Sequence, residues 1–266
     1  MARIYTLVNQ KGGVGKTTTA INLGAYLAKF GQKVLIVDLD PQANATSCLG
    51  VDKRTVKQGT YEAMLGLAPA AGSLLANPDL HLTLLPSSPA LAGAEVELVE
   101  AELRESRLRK ALEPLDNRFD YILVDCPPSL SLLTVNGLMA ARDGVIIPVQ
   151  CEYLALEGLG QLMSTLQRIR ASIFPGLNVR GVALTMYDAR ANLSTDVVSE
   201  VRKHFPGQVF NAIVPRSVRL AEAPSYGLPI SVYAPHSTGA QAYEALAREV
   251  LAGDGVVVPE ATHAQT

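Results

Sequence analysis

The stretch Ile4-Tyr5-Thr6-Leu7-Val8-Asn9-Gln10-Lys11-Gly12-Gly13-Val14-Gly15-Lys16-Thr17-Thr18 decides how the chain is read. Ile4–Val8 is a short β-prone run, and from Lys16 to Phe30 the apolar spacing is helical. Between them lies a glycine-rich loop. A strand that passes through such a loop into a helix N-terminus is suited to receive phosphate. Glycines let the backbone wrap closely and turn its N–H groups inward, and the helix adds its positive end. In that loop Lys16 is placed to face β- and γ-phosphate oxygens and the Thr17 hydroxyl to ligate Mg²⁺. The usual pattern has glycine at the position of Gln10, so the loop also carries an unusual early lysine, Lys11.

Working outward, β-prone runs recur at residues 33–38, 81–85, 121–125, 144–149, 180–185 and 208–214. Helical patterns lie between and after them, at residues 95–112, 156–173, 194–204 and 240–251. Alternation of this kind predicts an α/β fold: a doubly wound, mostly parallel sheet with helices on both faces. Gly31 closes the first helix. Residues 66–79, rich in Ala, Gly and Pro, read as a loop with a short helical turn. No repeat or long linker divides the chain, so one domain is expected over residues 1–252. Residues 253–266 lack helical periodicity and read as a disordered tail.

Composition narrows the function classes. The chain has 266 residues, is 48% hydrophobic, lacks Trp and carries a formal net charge of −2. Any nucleic-acid surface is therefore a local patch. Cys48, Cys126 and Cys151 form no CxxC pair, which argues against a zinc site or disulfide framework and favours a reducing cytoplasm. The run at residues 4–8 is too short for a signal-peptide core. No stretch approaches about 18 apolar residues, so no membrane span is expected.

Three carboxylates emerge where such a sheet binds its ligands, beyond the carboxyl ends of the strands. Asp38 and Asp40 follow the second run, and Asp125 ends Tyr121-Ile122-Leu123-Val124-Asp125. Strand-end aspartates commonly only cap the next helix. Beside a phosphate loop, an acid there is suited to hold Mg²⁺ or to orient an attacking water.

Lys11-Gly12-Gly13-Val14-Gly15-Lys16-Thr17-Thr18 resembles the deviant Walker A motif of the ParA/MinD/NifH family of P-loop NTPases. The likeness narrows to the chromosomal ParA/Soj branch through Asp38-Leu39-Asp40-Pro41-Gln42-Ala43-Asn44, Leu184-Thr185-Met186-Tyr187-Asp188-Ala189-Arg190 and Val214-Pro215-Arg216-Ser217-Val218-Arg219. The resemblance implies an ATPase that uses ATP and Mg²⁺, forms an ATP-dependent homodimer, and binds double-stranded DNA without sequence preference. It also implies a ParB/Spo0J-type activator, a role in chromosome or plasmid segregation, and a cytoplasmic, nucleoid-associated protein. Catalytic work falls to Lys11, which reaches the partner's nucleotide, to Lys16, and to Asp40, the water-positioning residue of switch I. Asp125 takes the Walker B role, with Asp38 contacting Mg²⁺-bound water or supporting the loop. One departure is Ala43, where the family more usually has glycine.

The fold so implied builds a base pocket at strand ends, which nominates Met186, Pro215 and Arg216, with Glu152 near a ribose hydroxyl. Arg190, Arg202, Lys203 and Arg219 fall in segments similar to the family's DNA-binding face. Residues 180–233 hold six Lys/Arg against four Asp/Glu, so charge alone does not single out that face. A MinD-like membrane ATPase should end in a basic amphipathic helix, which Leu251-Ala252-Gly253-Asp254-Gly255 does not resemble. A NifH-like reductase needs cluster-binding cysteines, whereas Cys126 and Cys151 read as small hydrophobes. A positioning or regulatory ATPase on a non-DNA scaffold stays as the alternative.

Overall fold

The computed structural model describes residues 1–258. Its strands are β1 (Arg3–Leu7), β2 (Val34–Asp38), β3 (Leu75–Asn77), β4 (Leu82–Leu85), β5 (Tyr121–Asp125), β6 (Gly144–Gln150), β7 (Val179–Tyr187) and β8 (Val209–Pro215). Its helices are α1 (Lys16–Lys29), α2 (Asn44–Cys48), α3 (Thr60–Leu65), α4 (Leu91–Glu97), α5 (Arg107–Leu112), α6 (Leu132–Ala140), α7 (Ala155–Ser172), α8 (Asn192–His204), α9 (Val218–Glu222), α10 (Ile230–Tyr233) and α11 (Thr238–Gly253). The strands form one sheet in the order β3-β4-β2-β5-β1-β6-β7-β8, parallel except for β3. The doubly wound α/β fold is thus the one the alternating pattern predicts.

Side chains on the central strands alternate between two apolar layers, as a period of two requires. Val34 and Ile36 join Tyr5, Leu7 and the inner faces of α1 and α11 on one side. Leu35 and Val37 join Ile122, Val124 and residues of α3 to α6 on the other. A third cluster packs β6 and β7 against α7 and α8. Gly24 lets α1 approach the sheet closely, since a Cβ there would lie 2.6 Å from Ile36 Cδ1. β8 is an edge strand, and Glu249 of α11 covers part of that edge by accepting from the Asn211 and Ala212 N–H groups at 2.7 and 2.5 Å.

The structure corrects three expectations. The helix read over residues 95–112 is broken into α4, a single turn at Arg104–Ser106, and α5. A continuous helix would bond the Leu108 N–H to the Arg104 carbonyl. Instead the Asn136 side chain on α6 accepts from Leu108 N at 3.1 Å and donates to Arg104 O at 2.7 Å. The loop at residues 66–79 has the expected helical turn, at Ala70–Gly72, but also contains β3, which pairs antiparallel with β4. The tail expected from residue 253 does not start there. Gly253 still belongs to α11, and the Asp254 carboxylate accepts from Tyr5 Oη at 2.7 Å, Tyr121 Oη at 2.9 Å and Arg180 Nε at 3.2 Å. The part of that expectation beyond residue 258 lies outside the described residues.

Candidate nucleotide and effector site

β1 lies between β5 and β6, where the winding of the sheet reverses, so the loop after it opens into the crevice at the carboxyl ends of the strands. Asn9 sets its start: its side chain donates to Pro148 O at 2.8 Å and accepts from Lys11 N at 3.0 Å. Gln10, at the position the usual pattern gives to glycine, reaches Thr165 on α7 at 3.4 Å. Gly13 and Gly15 take φ of 75° and 89°, which favours glycine, and Val14 O accepts from Thr185 Oγ1 at 2.8 Å.

The two lysines part company. Lys16 is buried and its ammonium donates to the Lys11 carbonyl at 3.2 Å, inside the loop. Burial lowers its pKa, against the pull of Asp125 and Asp40. The Lys11 side chain instead stands on the rim, 36% exposed, with its ammonium 3.5 Å from Glu152. Glu152 also pairs with Arg216 at 3.3 Å and accepts from Gln150. The expected ribose-contacting Glu152 therefore bridges the early lysine and the loop after β8.

Strand register brings the carboxylates together: Asp38 pairs with Asp125 across β2 and β5, and Asp125 with Leu7 across β5 and β1. Asp125 Oδ2 accepts from the Thr17 hydroxyl at 2.7 Å, while Oδ1 is buried with no partner. Burial, reinforced by the Asp38 charge, pushes the Asp125 carboxyl up to about 8. Asp38 is also raised by burial, to about 6. Its oxygens are used by the following loop, accepting from Asp40 N at 3.2 Å, Thr46 N at 2.8 Å and Thr46 Oγ1 at 2.7 Å. Of the two expected roles for Asp38, loop support is the one these bonds perform. Asp40 Oδ1 accepts from Gln42 N at 2.8 Å. Its other oxygen makes no hydrogen bond among the described residues.

An orphaned buried carboxylate oxygen beside a hydroxyl suits a cation or its bound water. No group of three or more His, Cys, Asp or Glu among the described residues is arranged to hold a metal by itself. That fits Mg²⁺, which takes one or two carboxylates and fills its shell with phosphate oxygens and water. Thr17 and Asp125 are the protein donors that would hold such an ion, whereas the oxygens of Asp38, named with them from the sequence, are taken up by the loop.

Met186, Pro215 and Arg216 come together as expected, lining a cavity of about 280 Å³ with Gly15 and Thr18 of the phosphate loop. Val214, which opens the same loop, lines it too, whereas sequence reasoning missed the rest of its wall: Thr185, Ser217, Leu220, Ala221 and Tyr243. The apolar character of Leu220 and Tyr243 was visible in α9 and α11, but not that α11 packs along α1 and that Leu220 packs against Gly239 of α11. Tyr243 Oη sits 3.1 Å from Thr19 Oγ1.

The four basic candidates are not gathered into one cluster. Arg190 precedes α8, whereas Arg202 and Lys203 lie in its last turn, a helix length of roughly 20 Å away. Arg219 is on α9. Arg190 is held by Asp188 through contacts of 2.9 and 2.8 Å, Arg219 by Glu222 at 3.0 Å and Lys203 by Glu200 at 3.6 Å. Among the described residues Arg202 alone of the four has no ion pair.

Residues 2–179 match the AAA domain family. The chain is 51% identical to the sporulation initiation inhibitor protein Soj of Bacillus subtilis, over 95% of this chain and 99% of that protein. It is 51% identical to the chromosome partitioning protein ParA of Myxococcus xanthus, over 96% and 89%. Among solved structures, cobyrinic acid a,c-diamide synthase from Mycobacterium smegmatis, with bound ADP and magnesium, superposes with a TM-score of 0.83 at 38% identity, covering 97% of this chain and 98% of that one.

Proposed function

This chain belongs to the ParA/Soj family of chromosome-partitioning ATPases, and on that premise we propose that it is an ATP-dependent dimerising switch that binds DNA without sequence preference. The proposed working unit is one ATPase domain, its body extended from residue 252 to Asp254. Hydrolysis of ATP to ADP and phosphate would reset it under control of a ParB-type partner, in a cytoplasmic, nucleoid-associated cycle.

The observation that carries this reading is the division of labour between the two lysines. Lys16 already occupies the phosphate loop of its own subunit. A second cation is redundant there, and Lys11 stands on the rim, suited to a phosphate presented by another copy. In this reading the Gly12–Thr18 amides hold the phosphates and the cavity between Met186 and Pro215 holds the base. Thr17 and Asp125 hold Mg²⁺, which when bound neutralises β- and γ-phosphate charge. Asp40, with one carboxylate oxygen that makes no hydrogen bond among the described residues, orients the attacking water. Arg190, Arg202, Lys203 and Arg219 contact DNA phosphates, a set that two subunits double.

Sedimentation with ATP, ADP or no nucleotide, each with and without random-sequence duplex DNA, tests dimerisation and DNA binding together. A dimer with ATP alone, and co-sedimentation with DNA only in that state, is the expected result. An ATP-dependent dimer that ignores DNA would favour a positioning ATPase on another scaffold, a reading to which the ion-paired state of Arg190, Lys203 and Arg219 lends some weight. No helix among the described residues is long and apolar enough to cross a membrane.

A further inference from the structure

Ser87 lies just beyond β4, fully buried, and makes no hydrogen bond to the phosphate loop. Its hydroxyl donates to the Asp40 carbonyl at 2.8 Å, and its N–H donates to Thr46 Oγ1 at 2.9 Å. Thr46 Oγ1 in turn donates to Asp38 Oδ2 at 2.7 Å. Ser87 therefore grips the loop between β2 and α2 near both of its ends, through hydrogen bonds that water does not reach. A second brace runs beside it. Thr60, also fully buried, donates from its hydroxyl to Asp38 O at 2.8 Å and from its N–H to Pro86 O at 2.9 Å.

The loop so held is under strain. Ala43, at its turn and fully buried, has φ 51° and ψ 44°, a left-handed conformation that residues with a Cβ rarely keep. Its N–H donates to the Asp40 carbonyl at 2.8 Å. That carbonyl thus accepts twice, from Ala43 and from Ser87, and these bonds fix the main chain from which the Asp40 carboxylate is aimed. A strained turn relaxes when a restraint is removed, so the Ser87 bond is the contact whose loss would let Asp40 drift.

We propose that Ser87 is a positioning residue for ATP hydrolysis, holding the Asp40 main chain so that its carboxylate meets the attacking water. The proposal rests on the reading of Asp40 as the water-orienting residue. It assigns Ser87 no contact with nucleotide.

The test is a double-mutant cycle in the full-length protein with Ser87→Ala, Asp40→Ala and both changes together. Ser87→Ala leaves the Asp40 carbonyl its bond from Ala43, so no buried group is orphaned and the fold should survive. Displacements of about 1 Å cost on the order of a hundredfold in rate, and with one restraint kept a fall in kcat of about tenfold is expected. ATP affinity should stay within about twofold, because binding does not pass through Asp40. In the Asp40→Ala background the Ser87 change should have no further effect on single-turnover hydrolysis, since residues acting as one unit are not additive. Equal losses in both backgrounds would show a general structural role and overturn the proposal. So would unchanged kcat in Ser87→Ala beside an inactive Asp40→Ala, which leaves the Asp40 reading intact. Normal turnover by Asp40→Ala would remove that reading and the proposal together. Ser87→Cys, similar in size but a weak donor, should fall between wild type and Ser87→Ala. A Ser87→Cys rate equal to wild type beside a slow Ser87→Ala would mean that volume, not the hydrogen bond, is what matters.

Discussion

Replacing Asp254 with Ala should cost far more than a residue at the apparent end of the domain would suggest. Its side chain is only 3% exposed and receives both phenols, from Tyr5 on β1 and Tyr121 on β5, along with Arg180 on β7. Removing the carboxylate leaves two buried phenol O–H donors without an acceptor, at about 1–3 kcal/mol each, although Tyr5 Oη still accepts from Arg180 Nε at 3.3 Å. Arg180 is less exposed to loss, because it keeps the Val250 carbonyl at 3.0 Å and lies over the Tyr5 and Phe210 rings. The phenols therefore dominate, and the sum is about 4 kcal/mol, a large part of the 5–15 kcal/mol that holds a typical domain folded. At about 2–4 °C per kcal/mol for a chain of this size, the melting temperature should fall by roughly 8–16 °C. Asp254→Asn keeps an acceptor and should lose less than half of that.

The assay is thermal and urea unfolding followed by far-ultraviolet circular dichroism, on wild type and the two variants. A shift under about 2 °C for Asp254→Ala would mean that water replaces the carboxylate at little cost, and the clasp would have no energetic weight. The same variant reports on the cavity proposed to hold the base. Asp254 fixes the C-terminal end of α11, and Tyr243 on that helix lines the cavity and touches Thr19. Adenine nucleotide should therefore bind the variant more weakly, while saturating nucleotide restores part of the lost melting temperature by mass action.

Lys11→Ala should leave monomeric ATP binding within about twofold and stability unchanged, because its exposed pair with Glu152 is worth at most about 1 kcal/mol. Light scattering should then show no ATP-dependent dimer, and a full dimer would remove the role across subunits. The Asp125 carboxyl, raised to about 8, keeps a proton in the folded chain that the unfolded chain has released. Stability without nucleotide should accordingly fall as pH rises from about 6 to 8, by up to about 1.4 kcal/mol per unit, and Asp125→Asn should flatten that slope in melts across the range. A slope that survives the substitution would assign it to another group. Arg219→Glu sets one like charge beside Glu222 and a negative charge against phosphate, so ATP-dependent gel shifts should weaken at every salt concentration from about 50 to 200 mM. Arg202→Glu, which breaks no ion pair, should act on DNA binding without touching stability, and undiminished binding by both variants would move the DNA face elsewhere.

What could be read from the sequence is what local chemistry determines. The apolar runs that become the parallel strands and the glycine spacing before α1 each act within a few residues, and both appear in the structure within a residue or two of the reading. The features that escaped depend on distant partners. Asn136 breaks the expected 95–112 helix from about thirty residues away, and Tyr5, Tyr121 and Arg180 draw Asp254 into the body of the domain. The cavity proposed for the base divides along the same line: its strand-end residues were anticipated, whereas Leu220 and Tyr243 arrive on helices distant in sequence. The ion pairs that occupy Arg190 and Arg219 are an intermediate case, since Asp188 and Glu222 lie only two and three residues away and their spacing was there to be weighed.

Ala43 shows how far one residue can be argued when sequence and structure are taken together. Its sequence anomaly is alanine where glycine is usual, and its structural anomaly is a positive φ at a fully buried position. A left-handed alanine costs about 1–2 kcal/mol. Its methyl recovers up to about 0.8 kcal/mol by burial, and the stiffer unfolded chain about 0.4–1 kcal/mol relative to glycine. The terms nearly cancel, so alanine is tolerated here without being favoured by stability. What does not cancel is freedom of movement. With glycine the loop would reach many conformations at similar energy, whereas alanine leaves it one strained shape maintained by Ser87, Thr46 and Thr60. The loop carrying Asp40 is therefore held by its surroundings rather than by its own preference, which is why its geometry could not be read from residues 38–46 alone.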